Sequence, residues 1–248
     1  MAAQAGTAIV WFRRDLRVVD HPALVEAATH ESVVCVYIDD PKREGDWATG
    51  QASKWWLSCS LKKLDNALRQ LGVSLSIYQG STEAVLETLI HDHQATGVYW
   101  NRLYEPAIVH ADKALKAKLS SSTETAQCVV KSFQAHVLKE PWEMLKKDQT
   151  PYLVFTPYWK HFQVTWEAST SLQPPKKLNA PATDTRLNSI EPQALAPDHP
   201  WTEKLSKYWV PGIEGAASQL ASFVDDGVAS YETLRNRPDH AGTSALSP

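Results

Sequence analysis

Apolar residues along this chain follow two alternating rhythms. Short runs rich in β-branched and aromatic residues, AIVWF (8–12), SVVCVYI (32–38), SLSIYQ (74–79), GVYWN (97–101) and QCVVKS (127–132), read as strands. They are apolar almost throughout, the pattern of strands covered on both faces. Between them, apolar positions recur at spacings of three and four. In 53–71, Trp56, Leu57, Leu61, Leu64, Leu68 and Leu71 form one stripe, and Gly72 follows as a C-cap. Segment 81–93 opens on a capping serine, 106–119 opens on a proline, and 21–29 is a shorter helix. Five strand–helix alternations predict an α/β fold. The expected architecture is a doubly wound, five-stranded parallel sheet, Rossmann-like, with strand order 3-2-1-4-5 from right-handed crossovers.

Beyond about residue 133 the rhythm breaks. Segments 141–147 and 156–166 predict helices, the second rich in aromatic residues (Tyr158, Trp159, Phe162, Trp166). Residues 170–211 are proline-rich without a sustained period, which predicts a connector rather than a domain. A helical pattern returns over 213–234, with Ala217, Leu220, Phe223, Val224, Val228 and Tyr231 on one face. One helix cannot own a core, so that face needs a partner. The expected division is an α/β domain over 7–133, a connector with short helices over 134–211, and a helical segment over 212–248 that needs a partner.

Composition is that of a globular protein: 43% hydrophobic, 21% charged, net charge −3 over 248 residues. No basic footprint for nucleic acid covers the chain as a whole. Cys35, Cys59 and Cys128 are far apart and form no CxxC pair, so neither a disulfide frame nor a structural zinc site is indicated. No signal-peptide pattern or membrane-length apolar run is present, and the expected compartment is the reducing cytoplasm. GxGxxG and GxSxG are both absent, which argues against a dinucleotide fingerprint and a serine-hydrolase elbow.

Chemistry gathers where strands end. Trp11 to His21, W-F-R-R-D-L-R-V-V-D-H, carries three arginines and two aspartates after the first strand. Its bland reading is a surface ion network. Its functional reading is that arginine forks pin a loop or another domain through carboxylates. Asp39-Asp40-Pro41 ends the second strand and Trp100-Asn101-Arg102-Leu103-Tyr104-Glu105-Pro106 follows the fourth. Doubly wound sheets bind ligands along this edge, and a flat aromatic ligand would suit these side chains.

Together these residues resemble the DNA photolyase/cryptochrome family. The motifs are Val10-Trp11-Phe12-Arg13-Arg14-Asp15-Leu16-Arg17, then Val98-Tyr99-Trp100-Asn101-Arg102 with Tyr104-Glu105-Pro106, then Phe155-Thr156-Pro157-Tyr158-Trp159-Lys160. A fourth runs from Tyr231 through Arg237-Pro238 to Gly242-Thr243-Ser244-Ala245-Leu246-Ser247-Pro248. They occur in the family's order. The cast looks most like the bacterial class I photolyases that repair cyclobutane pyrimidine dimers, represented here by an N-terminal part.

The resemblance implies a division of labour. The α/β domain (7–133) would hold a light-harvesting antenna: a reduced folate, a deazaflavin or FMN. A larger helical domain, beginning within 212–248, would hold FAD and take the damaged dimer out of the duplex. Excitation passes from antenna to FAD, which lends the dimer an electron. Tyr231, Thr243, Ser244, Leu246 and Ser247 fall on family positions that contact FAD, a partial site. Phe12, Arg13, Arg14, Asp39, Asp40, Asn101, Arg102 and Leu103 are the expected antenna liners. Arg17 and Asp20 are expected to brace the loop or the domain contact, and His21 to be structural. Some folate-binding members carry Asn-Glu where this chain has Ala107-Ile108, which speaks against that mode of folate binding. The full-length enzyme would be a deoxyribodipyrimidine photo-lyase, monomeric, acting on damaged DNA through its C-terminal domain. This chain alone would be inactive. Alternatives are a cryptochrome-type blue-light photoreceptor and a free-standing chromophore-binding module.

Overall fold

A computed structural model describes residues 4–43, 49–121, 128–168, 170–182 and 188–244. Five strands, β1 (Gln4–Phe12), β2 (His30–Asp39), β3 (Leu75–Gln79), β4 (Ala95–Asn101) and β5 (Val129–Phe133), form one sheet. Its order is β3-β2-β1-β4-β5, with every pairing parallel. This is the expected order. β1 takes the centre, paired with β2 on one side and β4 on the other.

Side chains of β1 alternate between two cores. Ala8, Val10 and Phe12 face α1 (Pro22–Ala27) and α2 (Gln51–Leu71), where Leu24, Leu61, Leu64 and Leu68 are buried. Ile9 and Trp11 face α3 (Thr82–Asp92) and α4 (Pro106–Ser121), against Leu86, Ile90, Leu115 and Leu119. Each layer of helices hides one pleat of the sheet, which explains the continuous apolar runs. The helices start and stop on local chemistry. His21 accepts the Leu24 N–H through Nδ1 at 3.0 Å, and Ser81 caps α3. Gly72 closes α2 in the left-handed region at φ +104, where a Cβ would lie 2.5 Å from the Leu178 carbonyl oxygen.

The connector is laid onto this unit as ordered chain over its described residues. Leu178 donates to the Leu71 carbonyl, Val33 donates to Asn179, and Ile190 donates to Ile77 on the sheet's outer strand β3. Leu178 and Leu195 enter the core beside α2. Two helical expectations are modified. Over 141–147 only a 3₁₀ turn forms, Pro141–Glu143, followed by an antiparallel bridge between Leu145 and Pro151. Proline at its start and the Glu140/Glu143 capping box favour one turn, and the Leu145–Pro151 bridge then claims the backbone that would continue it. The pattern of 156–166 becomes α5 (Phe155–Thr165), and a short helix α6 (Trp201–Ser206) follows. The helical pattern expected over 213–234 is helical from end to end but changes type along its length: α7 (Ile213–Ser222), a π turn (Phe223–Gly227), a 3₁₀ turn and α8 (Tyr231–Leu234). Leu220, Val224, Val228 and Tyr231 are exposed along it. Among the described residues, no helix is long and apolar enough to cross a membrane.

Candidate functional site

The arginine-rich loop after β1 is organised around one buried carboxylate. Asp15 is 1% exposed. It accepts the Arg13 backbone N–H at 2.8 Å and the Asn101 side-chain amide at 2.6 Å. His21 Nε2 lies 2.9 Å from it, within ion-pair distance but off the line of a good hydrogen bond. Burial opposes the charge on Asp15, but the contact with His21 and the Arg13 N–H outweigh it. Its carboxyl is therefore held well below the usual carboxylate range. The Asn101 oxygen accepts from Ala23 N–H, so one carboxamide joins the loop, α1 and β4.

Arg13 runs inward beside this centre. Its NH1 pairs with Asp112 on α4 at 2.8 Å, and its NH2 donates to the Asn101 carbonyl. Arg43 pairs with the other oxygen of Asp112 at 2.5 Å. Both guanidinium groups lie over Trp11, 4.8 and 5.3 Å from its ring. Burial lowers the Arg13 pKa from its ordinary value, against the pull of Asp112.

Two further ties reach the connector. Arg102 donates to Glu140 through Nε at 3.0 Å and NH2 at 2.6 Å, and through NH1 to Ser132. Tyr104 donates its hydroxyl to the other Glu140 oxygen at 2.9 Å, and burial with this carboxylate pushes the phenol up to about 12. Asp20, at φ 50, donates its backbone N–H to the Leu172 carbonyl, and its carboxylate accepts the Leu172 N–H. Arg17 donates to the Asp20 and Ala135 carbonyls. The expected bracing roles of Arg17 and Asp20, and the structural role of His21, are what the structure displays.

Along the carboxyl ends of β1 and β2 lies a cavity of about 1070 Å³. One wall is the sheet edge with α2. The other is the segment from Tyr208 to Gln219, which includes most of α7. That segment is docked by a Trp56–Trp209 edge contact at 6.1 Å and by the Lys63–Glu214 pair at 3.4 Å. Gly215 lets it close up, since a Cβ there would lie 1.8 Å from the Val210 carbonyl oxygen.

Five of the eight expected antenna liners border this cavity: Arg13, Arg14, Asp39, Asp40 and Leu103. Phe12, Asn101 and Arg102 lie elsewhere. Phe12 is wholly buried in the core against His21, Asn101 serves Asp15, and Arg102 is committed to Glu140 and Ser132. Trp11, Trp56, Thr82 and Trp209, which sequence reasoning left out of the site, also line it. The fit to a bound chromophore is supported by the volume, by aromatic faces, and by a polar floor. Trp11 Nε1, Arg13 Nε and Thr82 Oγ1 are buried there without a hydrogen-bond partner.

At the chain's far end, Tyr231 is partly exposed, edge to face with Phe223 at 5.9 Å and under the Arg235 guanidinium. Thr243 is exposed and Ser244 partly so. Leu246 and Ser247 lie outside the described residues.

A profile of the DNA photolyase family matches residues 8–179. The chain belongs to the DNA photolyase family. The deoxyribodipyrimidine photo-lyase of Agrobacterium fabrum is 36% identical over 250 residues, covering all of this chain and 51% of that protein. Cryptochrome-1 of Arabidopsis thaliana is 34% identical, covering 98% of this chain and 35% of the cryptochrome. The crystal structure of a bacterial class III photolyase from Agrobacterium tumefaciens superposes with a TM-score of 0.89 at 35% identity, over all of this chain and 50% of that one. The chain thus spans about half the length of this photolyase family member.

Proposed function

We propose that this chain is the N-terminal portion of a light-dependent DNA repair enzyme, a deoxyribodipyrimidine photo-lyase. In this reading 7–133 is the antenna unit, 134–211 the connector and 212–248 the start of the FAD domain. The observation that carries it is the cavity at the sheet's carboxyl edge, in a chain of this family, walled by aromatic and charged side chains. An antenna chromophore bound there supplies light absorption, and FAD supplies the electron that splits the dimer. This chain's residues bind and orient: the Asp15 centre fixes the loop, and Asp112 fixes Arg13 and Arg43 beside the cavity. Tyr231, Thr243, Ser244, Leu246 and Ser247 form part of the FAD phosphate wall. The full protein is a cytoplasmic monomer that meets damaged duplex through its remaining helical domain, and this portion contributes little to DNA affinity.

The test is repair of duplex containing cyclobutane pyrimidine dimers by the natural gene product under blue light. Dimer loss in light and none in darkness is the expected result. Absence of repair by a protein that carries reduced FAD would overturn it. The 34% identity to an Arabidopsis cryptochrome supports a second reading, a blue-light photoreceptor on the same scaffold, and that same null result would favour it.

A further inference from the structure

A second cavity, of about 620 Å³, lies between α3, the sheet's outer strand and the connector. It shares no lining residue with the cavity at the carboxyl edge. Its apolar wall comes from Ala84, Val85 and Leu89 on α3 and from Tyr78 on β3, and Asn188 of the connector borders it. Most polar groups on the lining are already engaged. Thr88 Oγ1 donates to the Ala84 carbonyl at 2.9 Å, the Gln94 amide donates to the His91 carbonyl at 2.7 Å, and the His91 ring meets Asp92 at 3.1 Å. His93 is the exception. It caps the end of α3, is 9% exposed, and holds a buried Nδ1 that has no hydrogen-bond partner. A buried polar atom without a partner is costly, and a ligand that pairs with it recovers the cost. Burial lowers the His93 pKa from its ordinary value, against the pull of Asp92, so the ring is neutral at pH 7. A neutral imidazole offers one donor and one acceptor. Among the described residues no lysine or arginine lines this cavity, and its one carboxylate, Asp92, is met by His91.

We propose that this second cavity binds a small uncharged aromatic molecule carrying a hydroxyl or ring N–H, its ring against Val85, Leu89 and Tyr78 and its polar group paired with His93. Each part of that description has its own ground. The apolar wall suits a ring, the lack of a cation disfavours a phosphate or carboxylate, and the lone unpaired imidazole asks for a single polar group. The volume lies within the range of small-molecule sites. A molecule seated there touches α3, β3 and the connector together, so its binding ties the connector to the sheet's outer edge. The site is independent of the antenna and FAD readings.

The experiment titrates the natural gene product with four probes by isothermal calorimetry. p-Cresol and indole carry one polar group, toluene has the cresol ring without it, and 4-methylbenzoate adds a charge. p-Cresol or indole binds with a Kd of about 1 mM or tighter. Toluene binds about tenfold more weakly than p-cresol, and 4-methylbenzoate more weakly still. His93→Phe keeps a ring of similar bulk without its nitrogens. It weakens p-cresol binding about tenfold and leaves toluene binding unchanged. Ala84→Trp, at an exposed position on the lining, fills the cavity without touching the core and abolishes binding of every probe. It keeps the inference testable if the histidine variant unfolds. Four results overturn the inference: no binding of p-cresol or indole, equal binding of p-cresol and toluene, 4-methylbenzoate as tight as p-cresol, or undiminished p-cresol binding in either variant.

Discussion

Removing the carboxylate of Asp15 would strand three partners at once: the Arg13 N–H, the Asn101 amide and His21. Asp15→Ala is expected to cost about 3 to 5 kcal/mol in urea unfolding, the range for breaking a buried pair from one side. The pH dependence follows from the depressed carboxyl. The unfolded aspartate titrates near ~3.9, and the folded one well below that. Its contribution is therefore complete above about pH 4 and is lost as pH falls toward the folded value. The acid limb of the stability curve should be shallower in Asp15→Asn than in the wild type. At Tyr104 the same logic acts on a phenol. In Glu140→Gln its titration should fall from about 12 toward the ordinary ~10, read by ultraviolet difference absorbance. Burial remains in that variant, so the return is partial.

At the scale of elements, the strands and their order were legible because burial on both faces leaves unbroken apolar runs, and right-handed crossovers leave few orders for them. The positions of Asn101 and Arg102 at a strand end were legible too, but not what they hold. Asn101 answers Asp15, 86 residues away, and Arg102 answers Glu140, 38 residues away. Pairing over such distances leaves no periodic trace. Trp56 fits the helical stripe of α2 as well as Leu61 does, yet it faces the cavity because the 208–219 segment stands opposite. The change of helix type within 213–234 was equally hidden, since its apolar spacing is that of an α-helix throughout. Gly215 makes that docking testable. Gly215→Ala drives a methyl into the Val210 carbonyl, so 208–222 should exchange its amide hydrogens faster at a cost of about 1 to 3 kcal/mol.

For the whole molecule, the connector protects as well as links. Ile190 and Leu178 satisfy groups on β3 and α2, and Leu178 and Leu195 fill the adjoining core. A chain cut to 1–133 would bare the outer edge of β3 and the face of α2 beneath the connector. It should sediment as aggregates, whereas 1–211 should stay dispersed, as analytical ultracentrifugation would show.

The central place of β1 also sets a timetable for synthesis. β1 leaves the ribosome first, yet one of its flanks waits for β4, about 90 residues later. At 5–20 residues per second that is roughly 5 to 20 s. Asp15 has no Asn101, and Arg13 no Asp112, until that interval has passed. A ribosome stalled shortly before β4 would thus display a three-stranded sheet whose bare margin is the strand destined to be its middle.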